Sequence, residues 1–437
     1  MSYINETYKK ENMNLKFLGG AREVGRSGVL LETDQEKIVF DYGIKIISQA
    51  EGPLQEPKIP LKPNLDIDCV LLSHAHMDHS GFVPNLYHRG YNGPTYTTAT
   101  TLDLARILLN DSIKLADIRK HEKHFFKKDL TKMEKNEYRI TYGQQFYVGK
   151  TSVGIYDAGH IPGSISFHLD TGKKSVVYSG DMNTKDTELL RGLEPIREKT
   201  DVLIMESTYG EREHPDREMQ EKLLVEKVRR TLDSNGIAML PCFAVGRAQE
   251  VLLILEKYGL DKQKICLDGM AVDATKIILK YPELIKQPKR LKKIYNDVFK
   301  VYNNTQRKKV TEEPCIVVTT SGMVNGGPIA YYLEKLYGRK ECSLILTGFQ
   351  VPDSTGYTLM KTGKYVTEEN SFKVKCGIDF IDLSAHSGRS ELFDYVKMID
   401  PEKVFVIHGD SCERFARELK EQGYYAYAPQ NGETCKV

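Results

Sequence analysis

The chain has 437 residues, enough for two or three domains of about 150 residues each. With 40% hydrophobic and 28% charged residues and a net charge of +2, it is globular in composition, which excludes a disordered, fibrous or uniformly basic protein. No apolar run approaches the roughly 20 residues of a membrane span, no signal-peptide core is visible, and the eight cysteines include no CxxC pair. We therefore expect a cytoplasmic protein with reduced thiols and no membrane partner.

Short apolar runs with the composition of strands follow one another from the N-terminus, and several end in a polar side chain. Asp41 follows the run at 38–40, and a histidine-rich stretch follows the run at 70–72. Strands that alternate with helices predict a layered α/β architecture, in which ligands bind where strands end. Further polar side chains stand after later runs or in loops of small residues, at His160, Asp181, Glu206, His386 and His408.

The middle of the chain repeats the order strand, loop and helix. Residues 236–259 and 315–336 both show it, and residues 342–350 add a strand. We therefore expect an α/β domain of its own, inserted before the last histidines. Within it, residues 276–309 carry eleven Lys or Arg against two acids, a net +9 that suits either phosphate contacts or a solvated helix face.

The stretch SHAHMDHSG at 73–81 concentrates three histidines and one aspartate. At a strand-to-loop junction its first two imidazoles can bind one ion while the following Asp and His turn toward a second, which suits two metals about 4 Å apart. His160 can complete the first ligand set and His408 the second, while Asp181 can bridge the two ions. Asp41 can accept a hydrogen bond that orients a ligating imidazole. Mixed imidazole and carboxylate ligands favour zinc and leave manganese and iron open.

The motifs, taken in order, resemble the metallo-β-lactamase fold and its β-CASP subgroup. In the first half they are FLGGAREVGRSGVLLE (17–32), DYG (41–43), HAHMDHSG (74–81), GHIPGS (159–164) and SGDMN (179–183). In the second half they are MESTYG (205–210), PCFAVGRAQE (241–250), TSGMVNGGP (320–328), GFQ (348–350), SAH (384–386) and VIHGD (406–410). The resemblance implies an α/β metallo-β-lactamase αββα sandwich at 1–207 and 366–437, with a β-CASP domain inserted at 208–365.

Within that subgroup, the motifs HAHMDHSG, GFQ and SAH are similar to the cleavage and polyadenylation specificity factor branch. A histidine at 408 points to RNA, because DNA-processing members usually have valine there. Two departures stand out: SAHSG lacks the acid that commonly follows SAHA, and we expect no N-terminal KH-type extension of the kind found in some archaeal relatives. We therefore expect help from an RNA-processing partner protein in selecting sequences. The resemblance implies two Zn²⁺ per chain, bound by His74, His76 and His160, by Asp78, His79 and His408, and by a bridging Asp181.

The resulting hypothesis is a two-metal hydroxide mechanism for RNA hydrolysis, with Asp78, Glu206 and His386 as catalytic residues. His386 is predicted to protonate the departing oxygen, and Glu206 to keep it protonated. Arg247 and Ser384 are predicted to bind RNA phosphates. For Arg247, which begins a predicted helix, a buried salt bridge is an equally good interpretation. The loop at 321–327 either cradles phosphate or forms a tight strand-to-helix turn.

These residues predict a ribonuclease that cuts internally, and also from the 5′ end if a pocket near Ser384 accepts a 5′-monophosphate. One alternative is a non-catalytic RNA-binding subunit, which would usually have lost metal ligands. Another is a small-molecule hydrolase, which would leave the inserted domain without a purpose. By analogy with prokaryotic relatives, we expect a homodimer.

Overall fold

A computed structural model describes residues 12–46, 56–352, 354–367 and 371–437. The first half of the chain contains the strands β1 (Asn14–Gly19), β2 (Gly28–Glu32), β3 (Lys37–Phe40), β4 (Cys69–Leu71), β5 (Thr95–Thr98), β6 (Glu137–Ile140), β7 (Gln145–Val148), β8 (Thr151–Asp157), β9 (Ile165–Asp170), β10 (Ser175–Tyr178) and β11 (Val202–Glu206). The second half contains β12 (Ile237–Pro241), β13 (Ile265–Asp268), β14 (Phe299–Val301), β15 (Cys315–Thr319), β16 (Ser343–Leu346), β17 (Lys364–Val366), β18 (Ser371–Lys373), β19 (Gly377–Phe380), β20 (Lys403–Ile407), β21 (Tyr425–Tyr427) and β22 (Thr434–Lys436).

Four of the helices begin after a side chain that accepts a hydrogen bond from a backbone amide of the first turn, at Thr98, Asp216, Asn303 and Ser354. The helices are α1 (Met77–Ser80), α2 (Val83–His88), α3 (Ala99–Arg119), α4 (Lys127–Lys135), α5 (Arg217–Asp233), α6 (Arg247–Lys257), α7 (Met270–Ile278), α8 (Pro288–Asp297), α9 (Asn304–Val310), α10 (Pro328–Leu336), α11 (Thr355–Thr362), α12 (Arg389–Ile399) and α13 (Cys412–Glu421). The side chain of Thr98, for example, accepts a hydrogen bond from Thr101 N at the start of α3. Across the described ranges, none of these helices is both long and apolar enough to cross a membrane.

Two seven-stranded sheets pack face to face and bury an aromatic core between them. Their strand orders are β22-β1-β2-β3-β4-β5-β6 and β21-β20-β11-β10-β9-β8-β7. In the core, Phe40 of the first sheet stacks on Tyr178 of the second, with ring centroids 4.7 Å apart. Helices α2 to α4 cover the outer face of the first sheet, and α12 and α13 cover that of the second. This is the αββα sandwich predicted from the sequence.

The inserted layer is a six-stranded sheet in the order β14-β13-β15-β12-β16-β19, and all its strand pairs are parallel. Its central strands β12 and β15 are buried along their whole length because helices cover both faces. Helices α5 to α8 pack on one face and α9 to α11 on the other. The apolar cluster under α5 to α8 continues to α3, and this contact fixes the inserted layer against the sandwich.

The chain leaves the second sheet after β11 and returns to it at β20, which lies beside β11 in parallel register. This connection is that of an inserted domain. Strand β19 pairs with β16 of the six-stranded sheet, although the predicted limit at 365 assigns it to the returning part. With sheet membership as the criterion, we propose that the insert ends near Phe380.

Candidate metal centre

The predicted ligands lie at one edge of the sandwich, where strands of both sheets end. The stretch 73–81 follows β4, Asp181 follows β10, and His408 follows β20. His160 lies in the turn between β8 and β9. Because the carboxyl ends of these parallel strands meet at the same edge, residues more than 300 positions apart become neighbours. All seven predicted ligands fall into two groups whose ligand atoms lie within 4.8 Å of one another.

The first group contains three imidazoles and one carboxylate oxygen. His76 Nδ1 lies 3.2 Å from His74 Nε2 and 3.2 Å from His160 Nε2. The Oδ2 atom of Asp181 lies 3.6 Å from His74 Nε2 and 3.7 Å from His160 Nε2. His160 Nδ1 donates a hydrogen bond to Ala385 O at 2.8 Å, so its Nε2 is left without a proton and free to bind a cation.

The second group is built around the other oxygen of the same aspartate. Asp181 Oδ1 lies 3.2 Å from His79 Nε2 and 3.3 Å from His408 Nδ1. His408 Nε2 lies 3.3 Å from Asp78 Oδ2, and the Asp78 side chain is 29% exposed, which leaves this side open toward solvent. The Asp181 carboxylate thus presents one oxygen to each group, as a bridging ligand would.

Bound divalent cations explain the close approach of these buried nitrogen and oxygen atoms better than hydrogen bonds between them do. Asp181 is almost fully buried, and among the described residues its Oδ1 has no donor of suitable geometry. Burial, which disfavours the charged form, lowers the pKa of His74 and of His160 well below the ordinary value, so both imidazoles are neutral ligands. Crowded lone pairs of this kind are costly to bury unless a cation lies between them.

Asp41 holds the second group in place from behind. Its Oδ2 accepts hydrogen bonds from His79 Nδ1 at 2.7 Å and from the Tyr178 hydroxyl at 2.8 Å. Ser73 donates to the same carboxylate through both its amide and its hydroxyl, each at 2.7 Å. The bond from Nδ1 turns His79 Nε2 toward Asp181. The sequence predicts this role for Asp41, whereas Ser73 and Tyr178 were not identified, because their only sequence signal is a position at a strand end.

Glu206 and His386 form a pair beside the first group. His386 Nδ1 donates to Glu206 Oε1 at 2.9 Å, and the same oxygen accepts the Met182 amide at 2.8 Å. Burial opposes the charged imidazolium, but the Glu206 carboxylate outweighs it and raises the pKa of His386 to about 9. The His386 ring lies 4.4 Å from that of His160, between centroids. A proton donor therefore stands at the edge of the candidate metal groups.

Arg247 begins α6 and is buried, with 9% of its surface exposed. Its Nε has no partner, and no carboxylate among the described residues lies within 4 Å of its guanidinium. Burial first, and then the charge of Arg217, lower the pKa of Arg247 to about 10. The salt bridge considered for Arg247 belongs instead to Arg217, which binds Glu250 at 2.5 Å and donates to Ser384 O at 3.2 Å. An uncompensated buried cation at this place favours an anionic ligand.

Two further predictions concerned phosphate binding by loops and charged segments. Ser384 is half-buried, and its hydroxyl accepts the His386 amide at 3.1 Å. The loop at 321–327 connects β15 to α10 in a tight turn that ends at Gly327, whose φ is 74°. Five of the eleven basic residues in the segment at 276–309 form ion pairs within the protein, which leaves both phosphate contacts and a solvated helix face open. Its pairs are Lys280–Asp103, Lys286–Asp186, Arg290–Glu188, Arg290–Glu256, Lys293–Asp261 and Arg307–Asp268.

Three family models match the chain in succession. The metallo-beta-lactamase superfamily domain matches residues 30–208, the Beta-Casp domain residues 248–359, and the Zn-dependent metallo-hydrolase RNA specificity domain residues 371–429. Fold and site therefore define a metal-dependent hydrolase of the metallo-β-lactamase class with a β-CASP insert.

Named relatives share most of this chain. It is 36% identical over 434 residues to Probable RNase MJ4 of Methanocaldococcus jannaschii, which covers 97% of this chain and 100% of that protein. It is 32% identical to RNase aCSPSF2 of Saccharolobus solfataricus, with 98% and 86% covered, and 32% identical to transcription termination factor FttA of M. jannaschii, with 97% and 72% covered. A crystal structure of a protein of unknown function from Enterococcus faecalis shares the fold, with a TM-score of 0.58 and 16% identity over 98% of this chain and 100% of that one. The chain belongs to the β-CASP family of metal-dependent ribonucleases, which confirms the family predicted from its motifs.

Proposed function

We propose that this chain hydrolyses RNA phosphodiester bonds with two zinc ions held by the two ligand groups. The observation that carries the proposal is the position of Asp181, whose two carboxylate oxygens face two separate sets of imidazoles. RNA is the proposed substrate because relatives at 36% and 32% identity bear the name RNase. The RNA specificity domain model over residues 371–429 supports the same choice.

The first ion would be held by His74, His76 and His160, the second by Asp78, His79 and His408, and both by Asp181. Bound divalent cations would neutralise charge on the phosphate and acidify a water, whose proton would pass to solvent. The resulting hydroxide would replace the departing ribose oxygen on phosphorus. His386, whose Nδ1 proton is held by Glu206, donates the proton on Nε2 to that oxygen. Glu206 keeps the imidazolium charged and aimed.

The two competing functions fit the site less well. A non-catalytic RNA-binding subunit has no need of seven convergent ligands, and here all seven are present and grouped. A small-molecule hydrolase does not explain an inserted sheet that brings the ring of Phe243 to 6.4 Å from that of His76, between centroids. We therefore propose the ribonuclease as the function and the RNA-binding subunit as the alternative to be excluded.

The test compares cleavage of a short defined RNA by metal-loaded protein, by protein treated with chelator, and by chelated protein given zinc back. We expect cleavage, loss of cleavage and recovery, in that order. Binding of RNA without cleavage under all three conditions would instead support the RNA-binding subunit.

The mode of cutting is tested with two further substrates. A circular RNA yields only to internal cuts, so its cleavage supports the proposed endonuclease. Faster degradation of linear RNA with a 5′-monophosphate than with a 5′-hydroxyl supports an additional 5′→3′ exonuclease mode. A cytoplasmic location, a homodimer and an RNA-processing partner protein belong to the same proposal, and fractionation, sedimentation and co-purification test them.

A further inference from the structure

The strand order and the helices that follow the strands predict a crevice at the carboxyl edge of the six-stranded sheet, between the neighbouring strands β12 and β16. Helix α6, which follows β12, packs on one face of the sheet, and α11, which follows β16, packs on the other. Where the following helices part in this way, the carboxyl ends of the strands leave an opening that binds ligands in open α/β sheets. The crevice therefore lies between the loop after Pro241 and the loop after Leu346.

This crevice opens on the candidate metal centre. Phe243, two residues after β12, has its ring centroid 6.4 Å from the ring of His76. Phe349, three residues after β16, contacts Tyr209 edge to face at 5.6 Å, and Tyr209 lies 5.9 Å from His386. Phe243 thus lies beside a predicted metal ligand, and Phe349 is connected to His386 through the ring of Tyr209.

The ring of Phe243 is held in place by glycines beneath it. A Cβ atom added to Gly348 would lie 2.9 Å from Phe243 Cε2, and one added to Gly322 would lie 3.3 Å from Cδ2. Gln350 ties the supporting loops together, because its Nε2 donates to Gly322 O at 3.0 Å and to Gly348 O at 2.9 Å. The ring rests on backbone on one side and is only partly buried. Phe349 is partly buried as well.

Rigid aromatic rings left partly exposed beside a phosphate-cleaving centre are suited to stacking on bases. Stacking of a base on an aromatic side chain is sequence-tolerant, because every base has a π face. A base inside a duplex has both of its faces covered by its neighbours, so only an unpaired, splayed base can use such a platform.

We propose that Phe243 and Phe349 form a stacking platform for the base of an unpaired nucleotide next to the cleaved phosphate. The proposal rests on the proposed function for the nature of the substrate. Phe243 is the principal stacking residue because it lies nearer to the predicted metal ligands, and Phe349 forms the second wall of the crevice.

The test measures binding of a single-stranded RNA in which a non-hydrolysable methylene phosphonate replaces the phosphodiester at the cleavage site. Near that site the RNA carries either one 2-aminopurine or one abasic ribose. Metal-loaded protein is expected to quench 2-aminopurine at one position next to that site. An abasic ribose at the same position should weaken binding about 5- to 100-fold. Equal affinity for abasic and intact RNA at every position would overturn the proposal, and this comparison needs no variant protein.

Variants separate stacking from simple packing. Phe243→Leu keeps apolar contact with the glycines but should lose the quenching and bind intact RNA only as well as abasic RNA, whereas Phe243→Trp should retain both properties. The matched control is Phe372→Leu, which removes a ring that contacts Tyr337 and Tyr365 at the other end of the inserted sheet. Loss of metal from Phe243→Leu with unchanged stacking would show that the ring only shields His76, and would contradict the platform.

Failure of the platform and failure of the proposed function give different results. If the protein cleaves no RNA, unmodified RNA itself serves as the binding probe, and the ribonuclease assignment fails while the platform is still measured. If RNA is cleaved but double-stranded and single-stranded forms react equally well, the platform fails while the ribonuclease stands.

Discussion

Two strand edges meet at the proposed active site, and they differ in chemistry. The edge of the sandwich carries buried imidazoles and carboxylates around Asp181. The facing edge of the insert carries glycines, two partly exposed phenylalanines and one buried arginine, Arg247. A dense polar cluster is costly to bury without a cation, whereas glycines and aromatic rings pack at little cost. The edge of the sandwich is therefore suited to the proposed reaction, and the edge of the insert to placing the proposed substrate.

The largest effect should come from the residue that joins the two ligand groups. Asp181→Ala removes an oxygen from each group, so we expect loss of bound metal and a fall in cleavage of more than about 10³-fold. The measurement is metal content together with single-turnover cleavage. Asp186→Ala is the matched control, because Asp186 is an exposed carboxylate that binds Lys286 nearby. Full activity in Asp181→Ala would contradict the proposal that the edge of the sandwich performs the reaction.

His386→Asn should lower the rate by about 10²–10⁴-fold while both metals stay bound, because it removes the proposed proton donor but none of the seven ligands. The pH dependence sharpens this prediction. The imidazolium is the active form, and Glu206 raises the pKa of His386 to about 9, so activity should fall as the pH rises through that value. In Glu206→Gln the fall should begin at lower pH. An unchanged alkaline limb would remove His386 from the proton transfer.

Arg247→Met should produce opposite changes in two measurements. Loss of a charged hydrogen bond to phosphate should weaken RNA binding about 10- to 100-fold, seen in KM more than in kcat. Removal of an unpaired buried cation should at the same time raise the thermal stability of the free protein. Arg217→Met is the contrasting variant, since Arg217 pairs with Glu250, and its loss should lower stability. A lower Tm for Arg247→Met with normal KM would indicate a structural role.

The smallest effect is expected on the basic segment of the insert. Lys289 and Lys292 are exposed on α8, and replacing both with Gln should change RNA affinity less than about twofold if this face is only solvated. The check is the slope of log affinity against log salt, which should stay the same. A slope reduced by about two would show that both lysines contact phosphates.

Local spacing accounts for much of the site that the sequence predicts. Residues 74–79 lie within one turn and its flanks, so their convergence follows from a strand-to-loop junction. Asp181 and His408 each follow the end of a strand. Because neighbouring parallel strands end together, both residues lie at the same edge of the sheet. Motif order supplied the family, which the named relatives confirm.

Contacts between distant segments account for what the sequence did not reveal. No periodicity in the sequence connects the residues that these contacts join. The contacts are the pairing of β19 with β16, the hydrogen bond from Tyr178 to Asp41 across the two sheets, and the salt bridge between Arg217 and Glu250. Residues 276–309 read in the sequence as an excess of positive charge that could contact phosphates. The acidic partners of Lys280, Lys286 and Arg290 lie elsewhere in the chain, so the sequence does not reveal these ion pairs.

The most direct test of the account is the metal content of pure, folded protein, measured by elemental analysis together with titration of the metal-free form. The account predicts two divalent cations per chain in the wild type and loss of metal in Asp181→Ala. Wild-type protein that binds no divalent cation, even when zinc, manganese or iron is added, would contradict it.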